Sequence, residues 1–378
     1  MKKPLRIGIE VQRLFRVKKH GMEVVALEIL RELQQLDTIN HYFIFVKDDK
    51  DSECLQETEN FKIVKLHGKT YFDWEQVSLP KAVKSYKLDF LHSTCNTSAL
   101  NISVPLILTL HDIIYLEKLD FKGTAYQNFG NIYRKLVVPK VVKKARLVIT
   151  VSKFEAGVIS KRLPIATNKL EVVYNGVSKK FNSNFTSEQI SNFKSHYGLP
   201  DDFILFLGNT APKKNTPNLV KAYAIYCETA KVVTPLVILD YSRELVLDIL
   251  RKINKVSAIE NIKFPGFVPS GEMPKMYNAA MLFIYPSLRE SFGLPILEAM
   301  SCNTPVITSN TSCMPEIASN AAILINPAEP ADIAEKILSV ISNADLRQTL
   351  SKLGLKRVEQ FSWKKAAEES LAIYSNIL

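Results

Sequence analysis

The sequence predicts an α/β protein built from two doubly wound domains, on three observations. Thirteen short, β-rich apolar runs recur along its 378 residues. Helical periodicity separates them from end to end. A polar stretch near residues 176–200 divides them into two sets. Runs this short and this uniformly apolar suit strands buried on both faces, hence parallel sheets covered by helices.

In chain order, the first set is "PLRIGIEV", "YFIFV", "FKIVKL", "LDFLHS", "PLILTLH", "RLVITVS" and "LEVVYNG". The dividing stretch, "SKKFNSNFTSEQISNFKSHYGLPDD", bears no strand pattern and reads as a hinge. The second set is "DFILFLG", "PLVILD", "NIKFPG", "MLFIYPS", "TPVITS" and "AAILINP". The expected layout is a domain over 1–180 and a second over 181–360, facing across a cleft.

Composition narrows the class. An apolar fraction of 47% and a charged fraction of 23% belong to a soluble globular chain. No apolar run approaches the roughly 20 residues of a membrane span. Arg6, Glu10 and Arg13 interrupt any apolar leader in "MKKPLRIGIEVQRLF", so a cytoplasmic chain is expected. Cys54, Cys95, Cys227, Cys302 and Cys313 are odd in number and form no CxxC, which indicates neither a disulfide framework nor a zinc site. The net charge of +11 is uneven: residues 1–180 hold 30 Lys+Arg against 19 Asp+Glu, and the remainder holds 19 of each. Clusters at "RLFRVKKH" and "KVVKKAR" suit nucleic acid, anionic lipid, an anionic substrate, or a plain solvated face.

Open α/β sheets bind ligands where strands exit towards helix N-termini. Four exits carry chemistry. After "MLFIYPS", the segment "ESFGLPILEAM" places Glu290 on a loop, Gly293 at a close approach, Pro295 in a helix start and Glu298 within that helix's first turn. A helix start favours phosphate, while ionised carboxylates accept from hydroxyls, so a ligand with both groups fits. After "LFLG", Lys213 and Lys214 could neutralise a diphosphate leaving group. After "PLILTL", His111 is a polar, titratable group facing the cleft. After the first run, Gly21 precedes an amphipathic helix and suits a close approach of backbone to a ligand. There is no GxGxxG and no GxxxxGK[ST], which gives no support to a dinucleotide cofactor or the usual NTPase. The single Asp-x-Asp, Asp49-Lys50-Asp51, reads as a charged turn rather than a metal site.

These residues resemble a known family. "ESFGLPILEAM" is similar to the E-x7-E motif of the retaining family 4 glycosyltransferases, which adopt the GT-B fold of two Rossmann-like domains. "LFLGNTAPKKN", "FPGFVPSGEMPKMYNAAMLFIYPS", "NTPVITSNTSCMPEIASNAAILINP" and "FSWKKAAEESLAIY" extend the likeness, with "HDIIYL", "RLVITVSKFEAGVI" and "LEVVYNGV" in the first half. The resemblance implies a hexose-type transfer from a nucleotide sugar to a saccharide or lipid-linked saccharide acceptor, in cell-surface polysaccharide or lipopolysaccharide assembly. It implies that Glu298 binds ribose hydroxyls and that Glu290 holds the transferring sugar. Backbone at Phe292, Gly293 and Leu294 would meet the sugar or diphosphate, as would Lys213 and Lys214. Phe267 and Val268 would contact the base through their backbone, Gly21 would lie beside the phosphates, and His111 near the sugar and acceptor. No metal is required, and no nucleic acid is implied. The closing helix, about 361–378, would return to the first domain. Asn209, Asp240 and His20 stand where many members carry arginine, glycine and glycine, which obscures the donor's identity. The basic half would place the enzyme at the inner face of the cell membrane, against anionic lipid. A GT-B nucleotide-sugar epimerase and a non-catalytic binding module are the alternatives.

Overall fold

All thirteen apolar runs become strands. In the first unit these are β1 (Arg6–Glu10), β2 (His41–Val46), β3 (Phe61–Lys65), β4 (Phe90–Ser93), β5 (Leu106–Thr109), β6 (Leu147–Thr150) and β7 (Leu170–Val172). They form one sheet in the order β3-β2-β1-β4-β5-β6-β7. Every pairing is parallel, with Ile9 registered to Ile44 on one side and His92 on the other. The computed structural model describes residues 3–117 and 125–378.

The two-residue period of a strand sends alternate side chains to opposite faces. Tyr42, Ile44 and Val46 of β2 therefore join one core with Ile7, Ile9 and Leu30. Phe43 and Phe45 join the other, with Trp74, Leu91 and Val138. The closing helix Trp363–Ser375 packs Trp363, Ala366, Ala367 and Tyr374 into the first of these cores. The Tyr374 hydroxyl also lies 2.7 Å from His92 Nδ1. The chain accordingly divides into Met1–Gly176 with Trp363–Leu378, and Val177–Ser362.

The second unit holds β8 (Ile204–Leu207), β9 (Leu236–Leu239), β10 (Ile262–Lys263), β11 (Leu282–Tyr285), β12 (Val306–Ser309) and β13 (Ile323–Ile325). Their order is β10-β9-β8-β11-β12-β13, again all parallel. Because β8 neighbours both β9 and β11, loops leaving β8 and β11 emerge side by side. Gly208, directly after β8, must be glycine for packing: an added Cβ would come within 2.7 Å of the Leu239 carbonyl. The polar dividing stretch also contains a helix, Ser187–Tyr197. Thr186 and Gln189 form its capping box, and Gly198 ends it at φ +60.

Candidate functional site

The β8 and β11 exits bring three predicted residues together. Pro212–Lys214 is a single 3₁₀ turn ended by Asn215 in the left-handed conformation. Buried Asn215 donates to the carbonyls of Pro286 (3.1 Å) and Pro327 (2.7 Å), which ties the lysine turn to the β11 exit. The Leu288 N–H then donates to the Lys213 carbonyl at 2.7 Å. Lys214 Nζ reaches Glu290 Oε1 at 2.8 Å and the Tyr285 hydroxyl at 3.0 Å, and Lys213 Nζ lies 3.6 Å from Glu290 Oε2. Burial alone would raise the Glu290 carboxyl, but Lys214, Lys213 and the Tyr285 hydroxyl outweigh it and hold it below the ordinary range. Glu290 is thus an ionised carboxylate, 8% exposed, between two ammonium groups.

Its backbone is clamped from the β12 exit. Ser312 Oγ donates to the Glu290 carbonyl at 2.6 Å and accepts its N–H at 3.1 Å. Cys313 Sγ lies 3.2 Å from the same carbonyl. Ser312 adopts φ +58, an uncommon conformation for a residue with a side chain, which costs about 1 kcal/mol and is retained where the surroundings over-determine it.

Gly293 caps the helix Leu294–Ser301 at φ +89 and ψ +46, so backbone geometry as well as close approach requires glycine. Leu294 and Pro295 open that helix, while Phe292 is buried against Phe361. Glu298 is the helix's fifth residue, in its second turn and not its first, because Gly293 is the cap and Leu294 the first helical position. Its carboxylate accepts from the Tyr277 hydroxyl at 3.1 Å. Burial pushes the Glu298 carboxyl up to about 7, against the opposing pull of Tyr277 and Lys180. Phe267 is 76% exposed after Gly266, itself at φ +84, and Val268 is buried.

In the first unit, His111 lies two residues beyond β5 and is 6% exposed. Asn96, at φ +67, accepts the His111 backbone N–H at 2.6 Å. His111 Nε2 is 2.9 Å from the Thr94 carbonyl, which can only accept, so Nε2 carries the proton and Nδ1 is an acceptor. Burial lowers the His111 pKa, opposed by the Thr94 bond, Asp112 and Glu23, so the ring is neutral near pH 7. A cavity of about 30 Å³ beside it, also lined by His92, Thr109 and Tyr374, has room for a water but not for a sugar ring. Gly21 is the first residue of the helix Gly21–Leu36, where an added Cβ would meet nothing within 4 Å. The fold itself therefore places no demand for glycine there.

Tyr285, Tyr277, Ser312 and Lys180 escaped sequence reasoning. Tyr285 closes an apolar strand and reads as core, and the others meet the glutamates only through space. Among the described residues no group of three or more His, Cys, Asp and Glu side chains could hold a metal ion.

The two parallel sheets with flanking helices define the GT-B class of architecture. HepE from Anabaena, solved with UDP and glucose, superposes with a TM-score of 0.74 at 19% identity, covering 98% of this chain and 99% of that one. Residues 20–181 match the family described as Glycosyltransferase Family 4, and residues 188–357 match Glycosyl transferases group 1. The chain belongs to this glycosyltransferase family. Its relatives include the O-antigen chain mannosyltransferase B of Escherichia coli, 27% identical over 295 residues, 78% of this chain and 76% of that protein. Another is the serotype-specific mannosyltransferase WbdA of Escherichia coli, 26% identical over 289 residues, where the match spans 75% of this chain but 35% of WbdA.

Proposed function

We propose that this glycosyltransferase moves a hexose, mannose being the first to test, from a nucleotide sugar to a saccharide or lipid-linked saccharide during cell-surface polysaccharide assembly, with retention of anomeric configuration. The observation that carries the reading is the Lys213–Lys214–Glu290 constellation. An ammonium group has three donors; Lys214 gives one each to Glu290 and Tyr285, which leaves a third for a diphosphate oxygen. Lys213, 40% exposed at its side chain, supplies a second charge. Glu290, ionised and clamped, accepts from hydroxyls of the transferring sugar. Glu298 accepts from ribose hydroxyls, and Gly293, Phe292 and Leu294 offer backbone to the sugar or diphosphate. Phe267 and Val268 border the base. Gly21 and His111 serve the phosphates and the acceptor.

In the transfer, the bond from the anomeric carbon to the diphosphate oxygen breaks and the acceptor oxygen bonds the same carbon from the same face. The acceptor's proton passes to the departing diphosphate oxygen, whose charge the lysines and helix N–H groups stabilise. The scheme uses no side-chain nucleophile, and its cations are supplied by the chain without a divalent metal.

A membrane surface is the proposed setting for a lipid-linked acceptor. The reading is supported by the helix Ala125–Lys144, whose exposed stripe runs Phe129, Ile132, Leu136, Lys140, Lys143. Among the described residues no helix is long and apolar enough to cross a membrane.

The test is a thermal-shift panel of UDP-, GDP-, ADP- and dTDP-sugars on the native chain and on Glu298→Ala. Binding to the native state raises apparent stability by mass action. One nucleotide class should shift the native chain and not the variant. Silence from all four would sink the donor reading, and an inverted product anomer would sink retention.

A further inference from the structure

One basic cluster has no place in the donor constellation. Between β1 and the helix Gly21–Leu36 the chain reads "VQRLFRVKKH", and its cations differ in their surroundings. Lys19 pairs with Asp51 and donates to the Arg16 carbonyl at 3.0 Å. Arg13, Arg16 and Lys18 make no side-chain hydrogen bond or ion pair among the described residues. Arg13 is half-buried at the strand exit, and its guanidinium sits over the Tyr71 ring, 5.2 Å from the centroid. That contact holds the guanidinium over the ring, and no protein acceptor takes up its N–H groups. Those donors are not closed off from solvent, so they are open to an acceptor that a ligand brings.

The neighbouring acids do not complete it. Glu10 ends β1, and its Oε1 accepts the Gln12 N–H at 3.0 Å. Burial, then the charge of Glu75, pushes the Glu10 carboxyl up to about 8, so it is mostly protonated at neutral pH. Glu75 is occupied by the Tyr71 hydroxyl at 2.9 Å, Thr97 and Tyr133 at 2.5 Å, and Gln76 at 3.0 Å. Neither acid pairs with the Arg13 guanidinium among the described residues, and Arg16 and Lys18 follow it in the same basic segment.

We propose that Arg13, stacked on Tyr71 and supported by Arg16 and Lys18, is an anion-binding site for a phosphate or diphosphate group. Guanidinium and phosphate match in planar, bidentate geometry, and a diphosphate offers enough oxygens for more than one cation. The site lies at the carboxyl end of β1, an inner strand of the first unit's sheet that neighbours β2 and β4, where ligands of such sheets bind. Its assignment to the acceptor, as the phosphate that links a growing saccharide to its carrier, rests on the transferase reading; the anion site does not.

The experiment is calorimetric titration of the full chain carrying Lys213→Gln and Lys214→Gln, which removes the two side-chain cations proposed for the donor diphosphate. Inorganic pyrophosphate should bind one site. Adding Arg13→Gln should weaken it about tenfold, the worth of a charge-assisted pair, and Arg13→Lys should recover part of the loss while controlling for folding. No binding in the double-lysine background, or binding unchanged by Arg13→Gln, overturns the site. Farnesyl diphosphate separates the sources: tighter binding with the same Arg13 dependence identifies a lipid-linked anion, and equal affinity a soluble one. Farnesyl diphosphate binding that ignores Arg13 also overturns the site. A Glu298-dependent nucleotide-sugar shift, read on the native chain, keeps the two hypotheses apart. Its absence beside intact Arg13-dependent binding removes the donor reading alone, and the converse removes the anion site alone.

Discussion

Glu298 holds its proton more tightly in the folded chain than free in water, and that sets a sign for its pH dependence. A carboxyl raised to about 7 favours folding while protonated. Its contribution is fully present below about pH 4.5 and is lost as pH rises through 7. Glu298→Gln keeps the shape and an acceptor for Tyr277 but cannot ionise, so it should be the more stable chain at pH 8 and level with the native chain near pH 4.5. Allowing for the residue's partial exposure, the gap at pH 8 is about 2 kcal/mol. Urea unfolding at both pH values checks this; equal midpoints at pH 8 would show that the carboxyl is not raised. On the proposed donor role the same change should also abolish nucleotide-sugar binding, the outcome expected where stability is given up for a ligand. Its partner glutamate behaves oppositely, since Lys214 and Lys213 sit on Glu290 and not on Glu298. Sequence spacing brought the two glutamates to notice as a pair. It could not distinguish their environments, because Tyr277, Lys180 and Ser312 approach from segments 21, 118 and 22 residues away in sequence, and no local pattern encodes such contacts.

At the scale of elements, strands were legible because the inner ones are apolar on both faces, a pattern that survives without knowledge of neighbours, while the edge strands β3, β7 and β10 carry exposed Lys62, Glu171 and Lys263. Their order was not, since β1 pairs with β2 and β4 through contacts that only the completed sheet reveals. The helix Ser187–Tyr197 was hidden by polarity: only Phe193 is buried along it, so the period was faint although its capping box was present. The helix Ala125–Lys144 departs from core periodicity in another way. Phe129 is 61% exposed and Leu136 61%, a stripe that water does not reward, and it continues into Lys140 and Lys143. Apolar side chains that insert and lysines that meet headgroups are the two parts of an interfacial helix. The chain should float with vesicles containing anionic phosphatidylglycerol and remain behind with purely zwitterionic ones. Lys140→Glu with Lys143→Glu should release it, at about 1 kcal/mol per removed charge near the surface. Flotation indifferent to lipid charge, or unaffected by the double change, would remove the membrane role from this helix.

At the scale of the molecule, the two units differ in how the chain supplies them. Val177–Ser362 is continuous and contains a complete six-stranded sheet with its own core. The other unit borrows its last helix from the far end of the sequence. Removing residues 363–378 would strip Trp363, Tyr374 and Ile377 from the core around Ile7 and Leu30. At roughly 1.5–3 kcal/mol for each large apolar side chain, the loss is on the order of 5 kcal/mol, comparable to the whole stability of a small domain. It would also leave His92 Nδ1 without the Tyr374 hydroxyl, a further cost for a buried ring that desolvation already holds neutral, its pKa down at about 3. A chain ending at residue 362 should therefore show two separated transitions, the first unit melting early and the second near its native midpoint. Residues 177–362 expressed alone should unfold cooperatively and, if they hold the donor constellation, retain the Glu298-dependent nucleotide-sugar shift. A single shared transition in the truncated chain would mean that the second unit depends on the first for its stability, and a fragment that folds but binds no nucleotide sugar would mean that Lys213, Lys214, Glu290 and Glu298 do not suffice for the donor.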